Sequence, residues 1–202
     1  MKKTVVITLI FSCVTAVFGQ TGPGYQNYLF GMSVAEVKAV RNDLINVHES
    51  EVLEWFAYHT ILYYLYRNEL PTEVPNPLQF IDNDKAALAT DSGSFKCVFV
   101  KNKLISVTTE FISPSPLPEL INRYGNGFIT YLFCNRADNE EARVWTNNGR
   151  VIYWWRTKNG NQFMERVVYV DEVWIKEVSR ITMENYKLQL NRIENEMRSR
   201  ID

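Results

Sequence analysis

The chain has 202 residues, of which 46% are hydrophobic and 22% charged, and its formal net charge is −1. This composition is typical of a folded protein with a substantial core, and it excludes an intrinsically disordered chain. The balanced charge, without a basic stripe that alternates with aromatic residues, argues against a nucleic-acid-binding protein.

The N-terminal segment has the charge order of a secretory signal peptide. Lys2 and Lys3 precede the apolar run Val5–Phe11, and the small-residue-rich stretch TAVFG follows it. This pattern predicts a signal peptide over residues 1–19, cut after Gly19. Its removal would leave 183 residues, with 20 basic and 23 acidic side chains and no run of 18 apolar residues. We therefore expect an exported protein of the bacterial periplasm or cell surface, without a transmembrane span in the mature chain.

A second interpretation of the same segment concerns Cys13. The sequence Ile10-Phe11-Ser12-Cys13 resembles a bacterial lipobox, in which the cysteine becomes the lipid-bearing first residue. Phe11 fits that pattern poorly, and the preceding apolar run of seven residues is at the lower limit for such a signal. We favour soluble export over the lipid-anchored form.

A capping box opens the first predicted unit, residues 20–113. Ser33 is followed three residues later by Glu36, which predicts the start of an amphipathic helix that runs to Val47. Its apolar face would carry Val34, Val37, Val40, Leu44 and Val47.

The rest of this unit combines an ambiguous segment with a clear hairpin. Residues 51–66 are rich in aromatic and β-branched side chains, which favours a strand, although their length allows a helix; we expect them to be mostly extended. Three prolines, Pro71, Pro75 and Pro77, then predict an irregular link. The runs FKCVFV and LISVTTEFI flank residues 101–103 and predict a β-hairpin.

The second predicted unit, residues 114–171, repeats the order of a helix followed by strands. A short helix ends at Gly125, and its apolar positions are Leu117, Leu120, Ile121 and Tyr124. Four strands follow, Phe128–Cys134, Ala142–Thr146, Arg150–Thr157 and Gln162–Val170. The dipeptides Asn148-Gly149 and Asn159-Gly160 supply the residues that tight hairpin turns need, so we expect an antiparallel meander.

A long helix is predicted to end the chain. Asp171 is placed to cap a helix from Glu172 to about Arg200, within residues 172–202. A stripe of apolar side chains along it, a candidate face for a partner helix or groove, consists of Tyr186, Leu190, Ile193 and Met197. Alternatively, this helix folds back along the first unit.

The predicted fold class is therefore α+β, with two helix-plus-antiparallel-meander units followed by a long C-terminal helix. Residues 20–202 form either these separate parts or one domain.

Strand alternation divides the meander into two faces. A two-residue loop at Asn159-Gly160 would pair Trp154 with Glu165 and Trp155 with Met164. The first face would be the core face, and it carries Val151, Tyr153, Trp155, Met164 and Val168. The second face mixes aromatic side chains with both charge signs, a composition typical of an interface, so it is a candidate interaction surface made of Trp145, Trp154, Arg156, Phe163 and Glu165. Trp145 belongs to it if Asn148-Gly149 is also a two-residue turn, whereas a three-residue loop would move Trp145 to the first face.

The alternative is that Trp154 is covered by the final helix. Val173, Trp174 and Val178 of that helix need a sheet to pack against.

Two cysteines remain in the predicted mature chain, Cys97 and Cys134. Both lie in strand-like runs, so in an oxidising compartment they could form a disulfide between neighbouring strands. Two separately buried thiols explain the sequence equally well. Neither cysteine lies in a CxxC motif, which argues against a redox or thiolate zinc site.

Residues with catalytic or metal-binding spacing are not evident, and we expect no cofactor and no metal site. The two histidines, His48 and His59, are eleven residues apart, which is outside any common metal spacing. Asp82-Asn83-Asp84 begins like a calcium loop, but alanines stand where an oxygen ligand and the turn glycine should follow. No nucleophile elbow and no phosphate-binding loop occur.

Several short motifs resemble a family of envelope proteins. FGMSVAEVKAV, the hairpin FVKNKLISV, the helix end INRYG and the strand VVYVDEVW look like bacterial envelope proteins built from helix-plus-meander units. Those units are similar to the β-lactamase-inhibitor-protein-like fold of small outer-membrane assembly lipoproteins, whose G-x-S-x-x-E-V helix opening is matched by Gly31, Ser33, Glu36 and Val37. The resemblance implies a non-enzymatic envelope protein that works by contact.

Two functions are compatible with these patterns. The favoured one is an exported interaction or assembly module with a protein partner in the cell envelope. The alternative is a carbohydrate-binding or peptidoglycan-binding module, in which Trp145, Tyr153 and Trp154 would stack on sugar rings. A hydrolytic enzyme has no residue argument behind it.

Overall fold

The computed structural model describes residues 24–48, 51–52, 66, 84–131, 134, 136–177, 180, 184, 188 and 191–192. The predicted signal peptide, Cys13, His59, the proline link and the apolar stripe Tyr186, Leu190, Ile193 and Met197 lie outside the described residues, as does most of the ambiguous segment 51–66. The three described positions of that segment, Glu51, Val52 and Tyr66, are helical.

An antiparallel sheet of eight strands dominates the described part of the chain. The strands in chain order are β3 (Ile45–Asn46), β4 (Lys85–Ala89), β5 (Phe95–Val100), β6 (Lys103–Phe111), β7 (Phe128–Thr130), β8 (Glu141–Asn147), β9 (Arg150–Asn159) and β10 (Gln162–Asp171). Their spatial order is β3-β4-β5-β6-β10-β9-β8-β7. Two further strands, β1 (Gly24–Tyr25) and β2 (Tyr28–Leu29), form a separate hairpin. β3 and β7 are therefore the two edges of the main sheet.

The pairing of β6 with β10 overturns the predicted fold class. Their register runs from Glu165 opposite Phe111 to Val170 opposite Ser106, so strands from both predicted units share one sheet. The described part of the chain is mostly antiparallel β-sheet with short helices, and the expectation of two α+β units followed by a long helix is wrong. The physical reason is that a ladder between distant strands leaves no local signal in the sequence.

The hairpins follow the turn signals closely. Asn148 and Gly149 have φ values of 47° and 75° between β8 and β9, as a type I′ turn requires at both central positions. The predicted loop over residues 101–103 is the two-residue turn Lys101-Asn102.

The predicted register across β9 and β10 is off by two residues. Trp154 lies opposite Val167 and Trp155 opposite Arg166, because the turn is formed by residues 160–161. A shift of two residues keeps each side chain on its predicted face, since strand side chains alternate with a period of two.

Helix α1 (Val34–Val40) begins with the predicted capping box. The Glu36 backbone N–H donates to Ser33 Oγ at 3.3 Å, and the Ser33 N–H donates to Glu36 Oε2 at 2.7 Å. The predicted extension to Val47 is wrong, because Arg41 is already extended, with φ −145° and ψ 107°. The next residues then form β3 against β4.

Short elements cover both faces of the sheet. Helix α2 (Leu117–Tyr124), which ends at Gly125 as predicted, packs with the β1–β2 hairpin and α1 on one face, named here the α2 face. Helix α3, residues 172–177, packs through Trp174 and Ile175 on the opposite face, named here the α3 face.

The C-terminal helix differs from the prediction in its extent. Asp171 caps it as expected, since Asp171 Oδ1 accepts the Val173 N–H at 2.9 Å. The structure describes a continuous helix only over residues 172–177, followed by isolated helical positions at 180, 184, 188 and 191–192. In the described part of the chain, no helix combines the length and the apolar character needed to cross a membrane.

Candidate functional site

The predicted aromatic surface is largely covered in the structure. The alternation places Trp145, Trp154 and Glu165 on the α2 face, as expected, but the exposed fraction of their side chains is 5%, 0% and 7%. The cover is helix α2, which contributes Leu117, Leu120, Ile121 and Tyr124. The expectation that the final helix would cover Trp154 is wrong, because α3 packs on the opposite face against Tyr153 and Trp155.

A hydrogen-bond network explains why a carboxylate is buried beside Trp154. Glu165 Oε2 accepts the indole N–H of Trp154 at 2.7 Å and the hydroxyl of Ser115 at 2.6 Å. Ser115 lies two residues before the first residue of α2, and the indole N–H of Trp145 donates to the carbonyl of Gly125, immediately after α2, at 2.8 Å. Trp145 is therefore bonded directly to the end of the helix that covers it, and Trp154 is linked through Glu165 to the segment before that helix.

Only the rim of the predicted surface remains accessible. The guanidinium of Arg156 lies 5.5 Å from the centre of the Trp154 ring and 5.2 Å from that of Phe163, whose exposed fraction is 38%. Arg156 also donates to the carbonyl oxygen of Asn139 at 3.1 Å. These contacts describe a small cation–π cluster rather than an extended aromatic surface.

The largest concentration of exposed apolar side chains in one described strand is at β7. Phe128 and Ile129 are 50% and 42% exposed, and Tyr131, just beyond the strand, is 41% exposed. β7 is an edge strand, and none of the described strands lies on its outer side. The sequence predicts a strand from Phe128 to Cys134, but the strand in the structure is only Phe128–Thr130. Its edge position depends on the order of the strands in space and was not predicted.

Charged and polar groups border this edge. The guanidinium of Arg136 lies 3.9 Å from the centre of the Tyr131 ring. Both residues line a cleft of about 220 Å³ together with Asn139, Glu140, Glu141 and Arg156. An apolar centre with a polar rim that contains tyrosine and arginine is the usual composition of a protein–protein interface.

The cysteines do not pair. Cys97 is buried on the α2 face, Cys134 packs on the α3 face, and both thiols are free. Cys97 lies in β5, and Cys134 lies four residues beyond the end of β7. Four strands lie between β5 and β7, a separation of roughly 24 Å at about 4.8 Å per strand, whereas a disulfide requires Cα atoms within about 7 Å. Burial raises the pKa of Cys97 to about 12 and that of Cys134 to about 11, so both thiols remain largely protonated at neutral pH.

Metal-binding clusters are not found in the described ranges: no three His, Cys, Asp or Glu side chains there are arranged to hold an ion.

No family model, no curated protein and no solved structure matches the chain.

Proposed function

We propose that the protein is exported to the bacterial envelope and acts there by contact with a partner protein rather than by catalysis. The contact would be strand addition, in which an extended segment of the partner pairs with the outer side of β7. The observation that carries the proposal is the exposure of Phe128 and Ile129 on an edge strand. Proteins usually protect such edges with charges, proline or a covering element, and exposed apolar side chains on an edge favour pairing with another chain.

The edge offers both parts of a recognition surface. Backbone N–H and C=O groups on the outer side of a strand supply affinity, while alternate side chains supply specificity. Ile129 lies opposite Arg143 on the α2 face, and Phe128 lies opposite Val144 on the α3 face. A partner strand would therefore place apolar residues against Phe128 on one face and against Ile129 on the other.

Export is supported by the order of charged, apolar and small residues in 1–19. The likeness of Gly31, Ser33, Glu36 and Val37 to the helix opening of outer-membrane assembly lipoproteins agrees with an envelope location. Soluble export is favoured over a lipid on Cys13.

The carbohydrate-binding alternative loses its support. Stacking on a sugar needs an exposed ring face, but the exposed fractions of Trp145, Tyr153 and Trp154 are 5%, 1% and 0%. Trp155, at 8%, is also buried.

Export and the contact with a partner can be tested on the protein isolated from cells. The mass of the mature chain should correspond to a start at Gln20; a lipid on Cys13, or an unprocessed Met1, would contradict soluble export. In native extracts of the envelope, the chain should migrate in a complex larger than itself, and Ile129→Lys should release it as a monomer.

The matched control for that variant is Ile45→Lys. Ile45 lies on the other edge strand, β3, and is 54% exposed, so the substitution introduces the same charge at an edge of the same sheet. It should leave the complex intact. An equal effect of both variants, or of neither, would contradict a contact at β7.

A further inference from the structure

A separate cavity lies on the α2 face, away from β7. It has a volume of about 450 Å³ and lies between the β1–β2 hairpin, helix α2 with the segment before it, and strands β6 and β10. That volume is in the range of small-molecule sites, which are usually concave, mostly apolar and equipped with a few polar groups. Its walls include the stacked rings of Tyr25 and Tyr169, whose centres are 4.5 Å apart, and the apolar side chains of Leu120 and Val167.

Arg150 places an unneutralised charge in this cavity. Its Nη1 donates to the carbonyl of Gly24 at 2.7 Å, and its guanidinium lies 5.9 Å from the centre of the Tyr124 ring. Its Nε is buried and has no hydrogen-bond acceptor. Among the described residues, no carboxylate forms an ion pair with Arg150, and Asp171, its cross-strand neighbour, caps α3 instead.

A half-buried guanidinium without an anion is unusual, because desolvation of a charge is costly unless an opposite charge and hydrogen bonds compensate for it. The guanidinium carries five N–H donors, and the carbonyl of Gly24 satisfies only part of them. An anion in the cavity would supply the missing counter-charge.

The remaining charges of the cavity set the charge of that anion. Arg123 is already paired with Glu119 at 3.0 Å, so these two side chains neutralise each other. The described lining therefore has a net charge of +1 from Arg150. This charge favours a monoanion, because a dianion would leave one negative charge uncompensated.

We propose that the cavity binds a small organic monoanion with an aromatic or apolar body, and that its carboxylate pairs with Arg150. The body of the ligand would lie against the tyrosine rings and the apolar walls. Burial raises the pKa of both Tyr25 and Tyr169, so their hydroxyls remain protonated at neutral pH and can donate to the carboxylate. The proposal does not depend on the contact at β7.

The first test uses the wild-type chain and three probes of nearly the same shape. Phenylacetate carries one negative charge, phenylacetamide is its neutral counterpart, and phenyl phosphate is mostly a dianion. Titration calorimetry should give a Kd at least about tenfold lower for phenylacetate than for phenylacetamide, as expected for a charge-assisted hydrogen-bond pair. Equal binding of the two, or binding of neither, would overturn the proposal. Tighter binding of phenyl phosphate than of phenylacetate would overturn the proposal of a monoanion and would indicate a phosphate-binding site.

The second test asks whether Arg150 causes the preference for phenylacetate over phenylacetamide. Arg150→Met should reduce the preference for phenylacetate to about twofold or less, while Arg150→Lys, which keeps the charge but loses the planar fork, should retain part of it. Arg180→Met is the control, because it removes the same charge from an exposed helical position outside the cavity. A preference that survives in Arg150→Met would overturn the assignment.

A third test uses the amide resonances of the wild-type chain, and it stays valid even if Arg150→Met loosens the β1–β2 hairpin. In the wild-type chain, phenylacetate should shift the amide resonances of Tyr25, Leu120 and Arg150. Shifts confined to other residues would overturn the location.

Discussion

The α2 face and the β7 edge are built from similar apolar residues, yet one is covered and the other is open. Trp154 is fully buried, while Phe128 is 50% exposed. The difference arises from where each strand lies. β9 is interior to the sheet and has α2 above it, whereas β7 ends the sheet. An aromatic run in a strand therefore indicates a contact surface only when the strand order and the covering elements leave it accessible.

The side chains of the α2 face are also linked to one another by more hydrogen bonds than those of the β7 edge. Trp145 donates a hydrogen bond to Gly125, the residue after α2. Trp154 and Ser115, which lies two residues before α2, both donate to Glu165. Changes in this region should cost stability, and changes at the edge should cost binding.

Trp154→Ala should have the largest effect on stability. It removes a fully buried ring and one hydrogen-bond partner of Glu165, so we expect the free energy of unfolding to fall by about 3–5 kcal/mol. Urea denaturation followed by circular dichroism measures the change. Phe163→Ala, at the 38% exposed rim, is the control and should cost less than about 1 kcal/mol. Equal losses would show that the α2 face is not the core.

Gly127→Ala tests how closely the loop after α2 approaches Trp145. A Cβ atom at Gly127 would lie 2.5 Å from Cε2 of Trp145, and the φ of Gly127 is 68°. Gly160 also has a positive φ, 61°, but a Cβ there meets nothing within 4 Å. Both alanine variants strain the backbone, and the collision should add about 1–3 kcal/mol to the loss of stability at Gly127 alone. Thermal unfolding of the two variants compares them directly; a smaller loss for Gly127→Ala would contradict the packing.

Ser115→Ala should have an intermediate effect. It removes one of the two hydrogen bonds to the buried carboxylate of Glu165, and the expected loss is about 1.5–3 kcal/mol, as for a hydrogen bond to a charged group. Ser92→Ala, which removes a hydroxyl from an exposed turn, should change stability by less than about 0.5 kcal/mol. Equal denaturation midpoints for the two variants would show that the hydrogen bond from Ser115 to Glu165 does not stabilise the fold.

Ile129→Lys should have the smallest effect on stability of the four. Its side chain is 42% exposed, so the free energy of unfolding should change by less than about 0.5 kcal/mol. The complex in envelope extracts should nevertheless be lost, because a charge on an edge strand opposes strand addition. A large loss of stability would mean that β7 is part of the core and not a contact edge.

Local signals in the sequence were sufficient for the parts of the fold that depend on near neighbours. The capping box of Ser33 and Glu36, the turn at Asn148-Gly149 and the end of α2 at Gly125 each follow from residues within a few positions. The alternation that places Trp154 and Trp155 on opposite faces follows from the strand period alone, even though the register was off by two.

Contacts between distant segments could not be predicted in the same way. β4 has the sequence KAALA, whose alanines and lysine have low strand propensity, and it is extended because β5 pairs with it. The β6–β10 ladder and the position of α2 over Trp154 depend on the whole fold. For the same reason, the exposure of Phe128 and the cavity at Arg150 had no signature in the sequence.

Photo-crosslinking in living cells tests the proposed contact most directly. A photoreactive phenylalanine analogue placed at Phe128 should give one discrete adduct with a second protein, whereas the same analogue at Ile45, on the opposite edge of the sheet, should give none. Adducts from both positions, from neither, or of twice the mass of the chain would contradict an edge contact between β7 and a partner protein.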